Sequence, residues 1–166
     1  MEACSFSGHR VIEPQHLGAI SPLIMRAINY AYSNGVRTFF TGGALGFDTL
    51  AARQVILFKM SHPDVQLHLI APCITQADNW TRAQRDAYEF VLKNANHVEY
   101  VSDEYTKSCM QKRNQRLAKE CDMLVVYMSR YNTGTGQTVR MAEKMGKTIF
   151  NLYPTLQKST DSKTPY

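Results

Sequence analysis

Short runs rich in β-branched and aromatic residues alternate along this chain with longer segments whose apolar positions recur at helical spacing. The runs are Ala3–Ser7, Val36–Thr41, Gln66–Ala71, His97–Val101, Met123–Met128 and Thr148–Leu152. Most segments between them are long enough for a helix. This alternation predicts an α/β fold, a three-layer sandwich with a mostly parallel sheet of about six strands and helices on both faces. The first helix is predicted from Pro14, tolerated in an opening turn, to the Asn34-Gly35 stop, with Leu17, Ile20, Ile24, Ala27, Ile28 and Ala31 inward. A second opens at the glycines after Thr41 and turns Leu50, Ala51, Val55 and Phe58 inward. A third lies between Gln76 and Asn96 and carries Trp80, Ala83, Ala87, Phe90 and Val91. The fourth, Lys107 to Glu120, sets Met110, Asn114, Leu117, Ala118 and Cys121 on one stripe, and the last runs from Gly134-Thr135-Gly136 to Gly146. From Thr155 the chain is polar (TLQKSTDSKTPY). The division expected is a domain over 1–153 and a flexible tail or arm over 154–166.

Composition adds bounds rather than a function. A chain of 166 residues with 44% hydrophobic content suits one domain with one ordinary core. No apolar stretch approaches the roughly 18 residues that span a bilayer, and the N-terminus lacks a basic region followed by an apolar run. The expectation is a soluble, unprocessed, cytoplasmic protein that does not enter membranes. Nineteen Lys+Arg against fourteen Asp+Glu give +5, which suits an anionic partner without requiring one. Cys4, Cys73, Cys109 and Cys121 form no CxxC pair, and the five histidines show no metal-binding spacing, so neither a disulfide framework nor a metal site is expected.

In an open parallel sheet, ligands bind beyond the carboxyl ends of the strands, where loops feed helix N-termini with free N–H groups. The residues at those ends here are Ser7-Gly8-His9-Arg10, the turn Thr41 to Asp48, Pro72-Cys73, and Ser129-Arg130 leading into Thr133 to Thr138. Gly42 and Gly43 permit either a close approach to phosphate or simply a tight turn. No Lys follows as in a P-loop, so triphosphate hydrolysis has no support. The second glycine-hydroxyl segment, Gly134-Thr135-Gly136-Gln137-Thr138, repeats the arrangement after another strand. Arg10 is suited to a phosphate, and Asp48 either caps its helix or accepts from a ribose hydroxyl. Asn114 falls on an apolar stripe, so it either fixes a neighbouring loop or touches ligand, while Arg113 beside it reaches the rim. Trp80, shortly after Pro72, either stacks on a base or packs in the core.

In their order and spacing these segments resemble the SLOG superfamily, the Rossmann-like group that includes the LOG hydrolases and the DNA-processing protein DprA. They are most similar to its YpsA-like branch. The resemblance is carried by Ser7 to Arg10, the Thr41-Gly42-Gly43-Ala44-Leu45-Gly46-Phe47-Asp48 turn, Pro72 with Trp80, Arg113-Asn114, and Gly134 to Thr138, and it covers Ala3 to Leu152. It implies a Rossmann-like domain that senses or sequesters a phosphate-containing nucleotide of the ADP-ribose, NAD-derived or cyclic ADP-ribose type, as a ligand and not a required cofactor. The ligand set it implies is Ser7, Gly8, His9, Arg10, Thr41, Gly42, Gly43, Ala44, Gly46, Asp48, Pro72, Trp80, Arg113, Asn114, Gly134, Thr135, Gly136 and Thr138. LOG hydrolases carry PGGxGTxxE, and the corresponding turn here has neither that proline nor that glutamate. An N-glycosidase or phosphohydrolase using Asp48 or His9 as acid or base is the alternative. Single-stranded nucleic-acid binding, as in DprA relatives, ranks third because the basic residues are spread and not gathered into a stripe. The resemblance also implies a homodimer or tetramer.

Overall fold

A computed structural model describes residues 1–162. β1 (Ala3–Gly8) leads through a 3-10 turn (Pro14–His16) into α1 (Leu17–Ser33), followed by β2 (Thr38–Thr41), α2 (Phe47–Lys59), β3 (Gln66–Cys73) and α3 (Arg82–Asn94). Then come β4 (His97–Ser102), α4 (Cys109–Glu120), β5 (Met123–Tyr127), α5 (Gly134–Lys144), β6 (Thr148–Asn151) and α6 (Tyr153–Asp161). The strands make one sheet ordered β4-β3-β2-β1-β5-β6 with every pairing parallel. This is the Rossmann-like α/β architecture expected.

The order reverses between β1 and β5, because α4 carries the chain from the β4 edge back across the sheet. Register pairs Cys4 with Met123 and Gly8 with Tyr127, so both strands end at one level. Their loops therefore open side by side into a crevice, the place where doubly wound sheets bind ligands. β5 reads MLVVY with every residue buried, as a parallel strand covered on both faces must be. The edge strand β4 is only half-covered and correspondingly polar.

The larger core lies between the sheet and α1–α3 and holds Phe6, Phe39, Phe47, Ile24 and Ile28. Phe6 stacks on Phe39 at 6.0 Å between ring centroids. A smaller core beneath α4 and α5 gathers Ala118, Leu124, Val126, Val139 and Ala142. Ser5, fully buried in β1, donates its hydroxyl to the Leu117 carbonyl at 2.7 Å, which satisfies it and ties α4 to the sheet. Among the described residues no helix is long and apolar enough to cross a membrane.

The structure corrects three expectations. α2 begins at Phe47 instead of at the glycines, since Gly46 at φ +76° breaks the helical path. α3 begins at Arg82 behind a capping box in which Thr81 and Gln84 exchange hydrogen bonds, so Trp80 precedes it. Most consequentially, the segment read as a flexible polar tail forms α6 over Tyr153–Asp161. Its composition signals little, yet Leu156 is 3% exposed in the main core and Gln157 Oε1 meets buried His16 Nε2 at 3.0 Å. Two anchored side chains suffice to order a short helix against an existing surface. The last positions of the expected tail, 163–166, lie outside the described residues.

If α6 is integral to the domain, Leu156→Ala lowers unfolding free energy by about 2–5 kcal/mol in urea titration. A loss below about 0.5 kcal/mol would mean that α6 is only an appendage.

Candidate functional site

The crevice between the β1 and β5 loops is a cavity of about 570 Å³. That lies within the range of roughly 300–1,000 Å³ typical of small-molecule sites. It is lined by Ser7, Gly8, His9, Arg10, Val11 and Glu13 after β1, by Ala44 and Asp48, and by Met110, Arg113, Asn114 and Leu117 of α4. Tyr127, Ser129, Arg130, Thr133, Gly134, Thr135 and Tyr153 complete it.

One end is cationic. Arg113 is only 6% exposed, and no carboxylate lies within 4 Å of it among the described residues. It is held by neutral acceptors instead: Nη1 donates to the Gly42 carbonyl at 2.9 Å and Nε to Asn114 Oδ1 at 2.9 Å. Asn114 passes the constraint on through Nδ2, which donates to Gln137 Oε1 at 3.2 Å and the Gly134 carbonyl at 3.4 Å. Asn114 thus couples the buried guanidinium to the N-terminus of α5. There Thr133 caps the helix by accepting from the Gly136 amide at 3.1 Å. Gly134 and Thr135 open that helix, so their N–H groups have no intrahelical acceptors; both residues line the cavity, and the dipole at a helix N-terminus favours negative charge. Arg10 and Arg130 add exposed cations at the rim.

Asp48 is the internal counterweight. It is 3% exposed, and its Oδ2 accepts from the Ala44 amide at 3.3 Å. Burial pushes its carboxyl up to about 6, against the opposing pull of Arg113, the Ala44 and Gly8 amides, and Arg10. The same burial draws the Arg113 guanidinium down, with Asp48 acting to restore it.

The glycine turn after β2 is scaffold more than cradle. The Gly43 amide is spent on Thr41 Oγ1 at 3.4 Å and the Ala44 amide on Asp48. A Cβ at Gly42 would collide with the Arg113 guanidinium, and one at Gly46 with the Arg10 carbonyl. The Phe47 amide also donates to the His9 carbonyl at 3.2 Å, locking the two loops together. These glycines are required because other groups need their space.

Of the residues expected at the ligand, Ser7, Gly8, His9, Arg10, Ala44, Asp48, Arg113, Asn114, Gly134 and Thr135 line the cavity. Thr41, Gly42, Gly43 and Gly46 sit behind that wall. Gly136 is buried against the Tyr131 backbone, and Thr138 donates its hydroxyl to the Gly134 carbonyl at 3.1 Å, so both brace the helix turn. Pro72 is buried within β3, and Trp80 packs edge-on to Tyr88 at 5.4 Å, away from the cavity. His9, considered as an acid or base, is committed at Nε2, which accepts from the Ser129 amide at 2.8 Å. Its proton therefore sits on Nδ1, and burial followed by Arg130 lowers its pKa, which keeps the ring neutral.

Glu13, Tyr127 and Tyr153 escaped the sequence reading and form the other end of the cavity. Tyr127 and Tyr153 rings tilt together at 5.3 Å, and His16 packs edge-on to both. Hydrogen bonding to Glu13, with burial and its charge, pushes the Tyr153 hydroxyl up to about 12. The Glu13 side chain is 42% exposed, and its Oε2 lies 3.5 Å from His16 Nδ1.

Comparison with known proteins follows this geometry. A YpsA family model, described as the YspA SLOG family, matches residues 11–155. A UPF0398 protein of Bacillus cereus (strain G9842) is 27% identical over 134 residues, which is 79% of this chain and 73% of the relative. A second, from Bacillus cereus (strain B4264), is 28% identical over 117 residues, covering 69% of this chain and 64% of the relative. Among solved structures, DNA processing protein A from Helicobacter pylori, studied for its single-stranded DNA binding mode, has a TM-score of 0.64 at 16% identity. The match covers 97% of this chain and 79% of that one. DprA from Streptococcus pneumoniae also gives 0.64, at 14% identity, covering 98% and 57%. At such identities the likeness is one of fold.

The Asp48 environment has a measurable consequence. Its folded-state value of about 6 exceeds the ordinary carboxylate value, so the native state holds the proton that the unfolded chain releases. This makes stability fall as pH rises from about 4 to about 6 and level off above. The stability of Asp48→Asn relative to the parent is expected to grow by about 3 kcal/mol between about pH 4 and pH 7. A difference independent of pH in paired denaturation curves would show that Asp48 is not buried in this way.

Proposed function

The chain belongs to the YspA SLOG family, and from that premise we propose that it binds a phosphate-containing nucleotide in the β1–β5 crevice, as a sensor or sequestering module. A diphosphate-bearing adenine nucleotide of the ADP-ribose, NAD-derived or cyclic ADP-ribose type is the ligand class. One observation supports this reading: a buried arginine, with no carboxylate within 4 Å among the described residues, lines the same cavity of about 570 Å³ as the first residues of α5. A guanidinium in such a place is left to be neutralised by what enters, and phosphate is the anion its fork suits best. Arg10 and Arg130 at the rim steer the same charge inward. In this reading the ligand is held and not transformed; Asp48 Oδ2 accepts from the Ala44 amide and His9 Nε2 from the Ser129 amide, which fixes both side chains in the scaffold.

Single-stranded DNA is the second reading, favoured by the fold likeness to a DprA known for its binding mode. The recessed position of Arg113 weighs for a small ligand, since a polynucleotide groove presents its cations along an open surface. The family resemblance also supports self-association, and exposed Leu57, Met60 and Phe90 provide apolar surface for it. Light scattering is expected to give twice or four times the monomer mass; a monomer at all concentrations would contradict this part.

Titration calorimetry with ADP-ribose, NAD and cyclic ADP-ribose isomers tests the central reading. Saturable binding of at least one is expected, weakened at least about tenfold by Arg113→Met, the effect of losing a charge-assisted hydrogen bond. The recovered ligand is expected to be intact after long incubation. Binding to none of them, with tight and salt-sensitive binding of an oligonucleotide, would transfer the assignment to nucleic acid.

A further inference from the structure

The nucleotide reading brings an anion up to a wall that already holds a buried acid. Asp48, in the first turn of α2, is the one buried acidic residue among those described, and it lines the same cavity as Arg113. The two make no ion pair within 4 Å; each is held by neutral groups instead. Asp48 Oδ2 accepts from the Ala44 amide at 3.3 Å and the Gly8 amide bonds the same carboxylate, while Arg113 donates to the Gly42 carbonyl and to Asn114. The charged groups acting on Asp48 are Arg113, from α4, and Arg10, from the loop after β1. From β2, Thr41 reaches only its backbone, donating to the Asp48 carbonyl at 3.3 Å. His9, Glu13, Tyr127, Arg130 and Tyr153 are the other titratable residues of the cavity wall.

An anion that settles against Arg113 takes over the positive charge that otherwise answers Asp48. Two negative charges then share one guanidinium in a poorly solvated place, and a like charge beside a buried carboxyl favours its neutral form. Resting on the nucleotide reading above, we infer that Asp48 is the proton-exchanging residue of this site, taking up a proton from solvent as the phosphate-bearing ligand binds, so that the neutral acid is the ligand-bound form. One negative charge leaves the wall as the charge of the ligand arrives. Burial already pushes this carboxyl up to about 6, so a further rise carries it into the neutral range. The linkage is reciprocal: protons and ligand strengthen each other's binding. Because the carboxyl holds its proton more tightly in the complex, affinity is highest at low pH and falls as pH rises through the ligand-free and then the ligand-bound value. His9 is the competing proton acceptor, and its Nε2 is occupied by the Ser129 amide.

Calorimetry of ADP-ribose binding to the full chain at about pH 7, in two buffers of different ionisation enthalpy, tests this, because the diphosphate diester of ADP-ribose has no proton that titrates near neutrality. Uptake of about 0.4 proton or more per ligand is expected, the amount for a carboxyl raised from about 6 by about one unit or more. Affinity is expected to fall about tenfold between about pH 5 and pH 8.5. In Asp48→Asn, which mimics the neutral acid, the uptake disappears and affinity at about pH 8.5 rises about tenfold above the parent's. A variant that merely disturbs the wall loses affinity, so this gain separates proton linkage from a structural role, and a loss in its place would overturn the proposal. No uptake or a proton release in the parent, which involves no variant and so no question of folding, would overturn it as well. So would uptake that persists in Asp48→Asn, which would assign the proton to His9. Sulfate, an anion that does not titrate in this range, is the second probe. Sulfate bound with proton uptake while ADP-ribose and NAD do not bind fails the nucleotide reading and leaves Asp48 in its role. Nucleotide binding without uptake fails the Asp48 assignment alone, and binding of neither probe fails both.

Discussion

A buried guanidinium held by neutral groups is the constraint around which this molecule's site is arranged. Burying a charge is costly unless hydrogen bonds or opposite charge compensate. Arg113 donates to the Gly42 carbonyl and the Asn114 amide oxygen, and the Asp48 carboxylate acts on it from beyond ion-pair distance. That leaves its charge only partly answered. Each partner in turn fixes an element: Gly42 the turn after β2, Asn114 the start of α5, and Asp48 the start of α2. Two helix N-termini and the turn after β2 are thereby indexed to one side chain of α4. The sheet makes this possible by returning the chain across all its inner strands before β5 begins.

The same constraint explains why glycine occupies positions that touch no cavity. Gly42 yields its side-chain space to the guanidinium, and Gly46 yields to the backbone of the β1 loop. A glycine-rich turn after a strand is commonly a phosphate cradle; in this chain its amides are turned onto Thr41 and Asp48. In the proposed function the anion-receiving role falls to the α5 N-terminus, where the Thr133 cap satisfies the Gly136 amide and not those of Gly134 and Thr135. Two similar sequence segments therefore do different physical work.

Much of this was legible in the sequence. β-branched runs marked all six strands, and the rule that ligands gather at strand carboxyl ends located the crevice. Asn114 announced itself as an amide on an apolar stripe. The rest hid for identifiable reasons. α6 draws its order from Leu156 and Gln157 docking on surfaces made by distant residues, which local composition does not register. Trp80 shares a loop with strand-end residues but its ring turns to Tyr88. Glu13 looks like an ordinary loop acid, and Tyr127 like the last residue of a buried strand. Their significance appears only when register sets Tyr127 beside Gly8 and the 3-10 turn folds Glu13 over it. The one available cue was a tyrosine closing an otherwise aliphatic strand, whose hydroxyl had to find a partner.

The account joins a cationic end and an acidic aromatic end in one cavity and assigns the first to phosphate. In the proposed function the ligand is held and not cleaved, with Asp48 Oδ2 and His9 Nε2 each fixed by a backbone amide. Phosphorus-31 NMR of ADP-ribose during titration with the protein observes that central contact directly. Saturable shifts or broadening of the diphosphate signals with the parent protein, absent with Arg113→Met, are the result the account predicts. Diphosphate signals that stay unchanged in the parent, or that respond equally to the Arg113→Met protein, would contradict it.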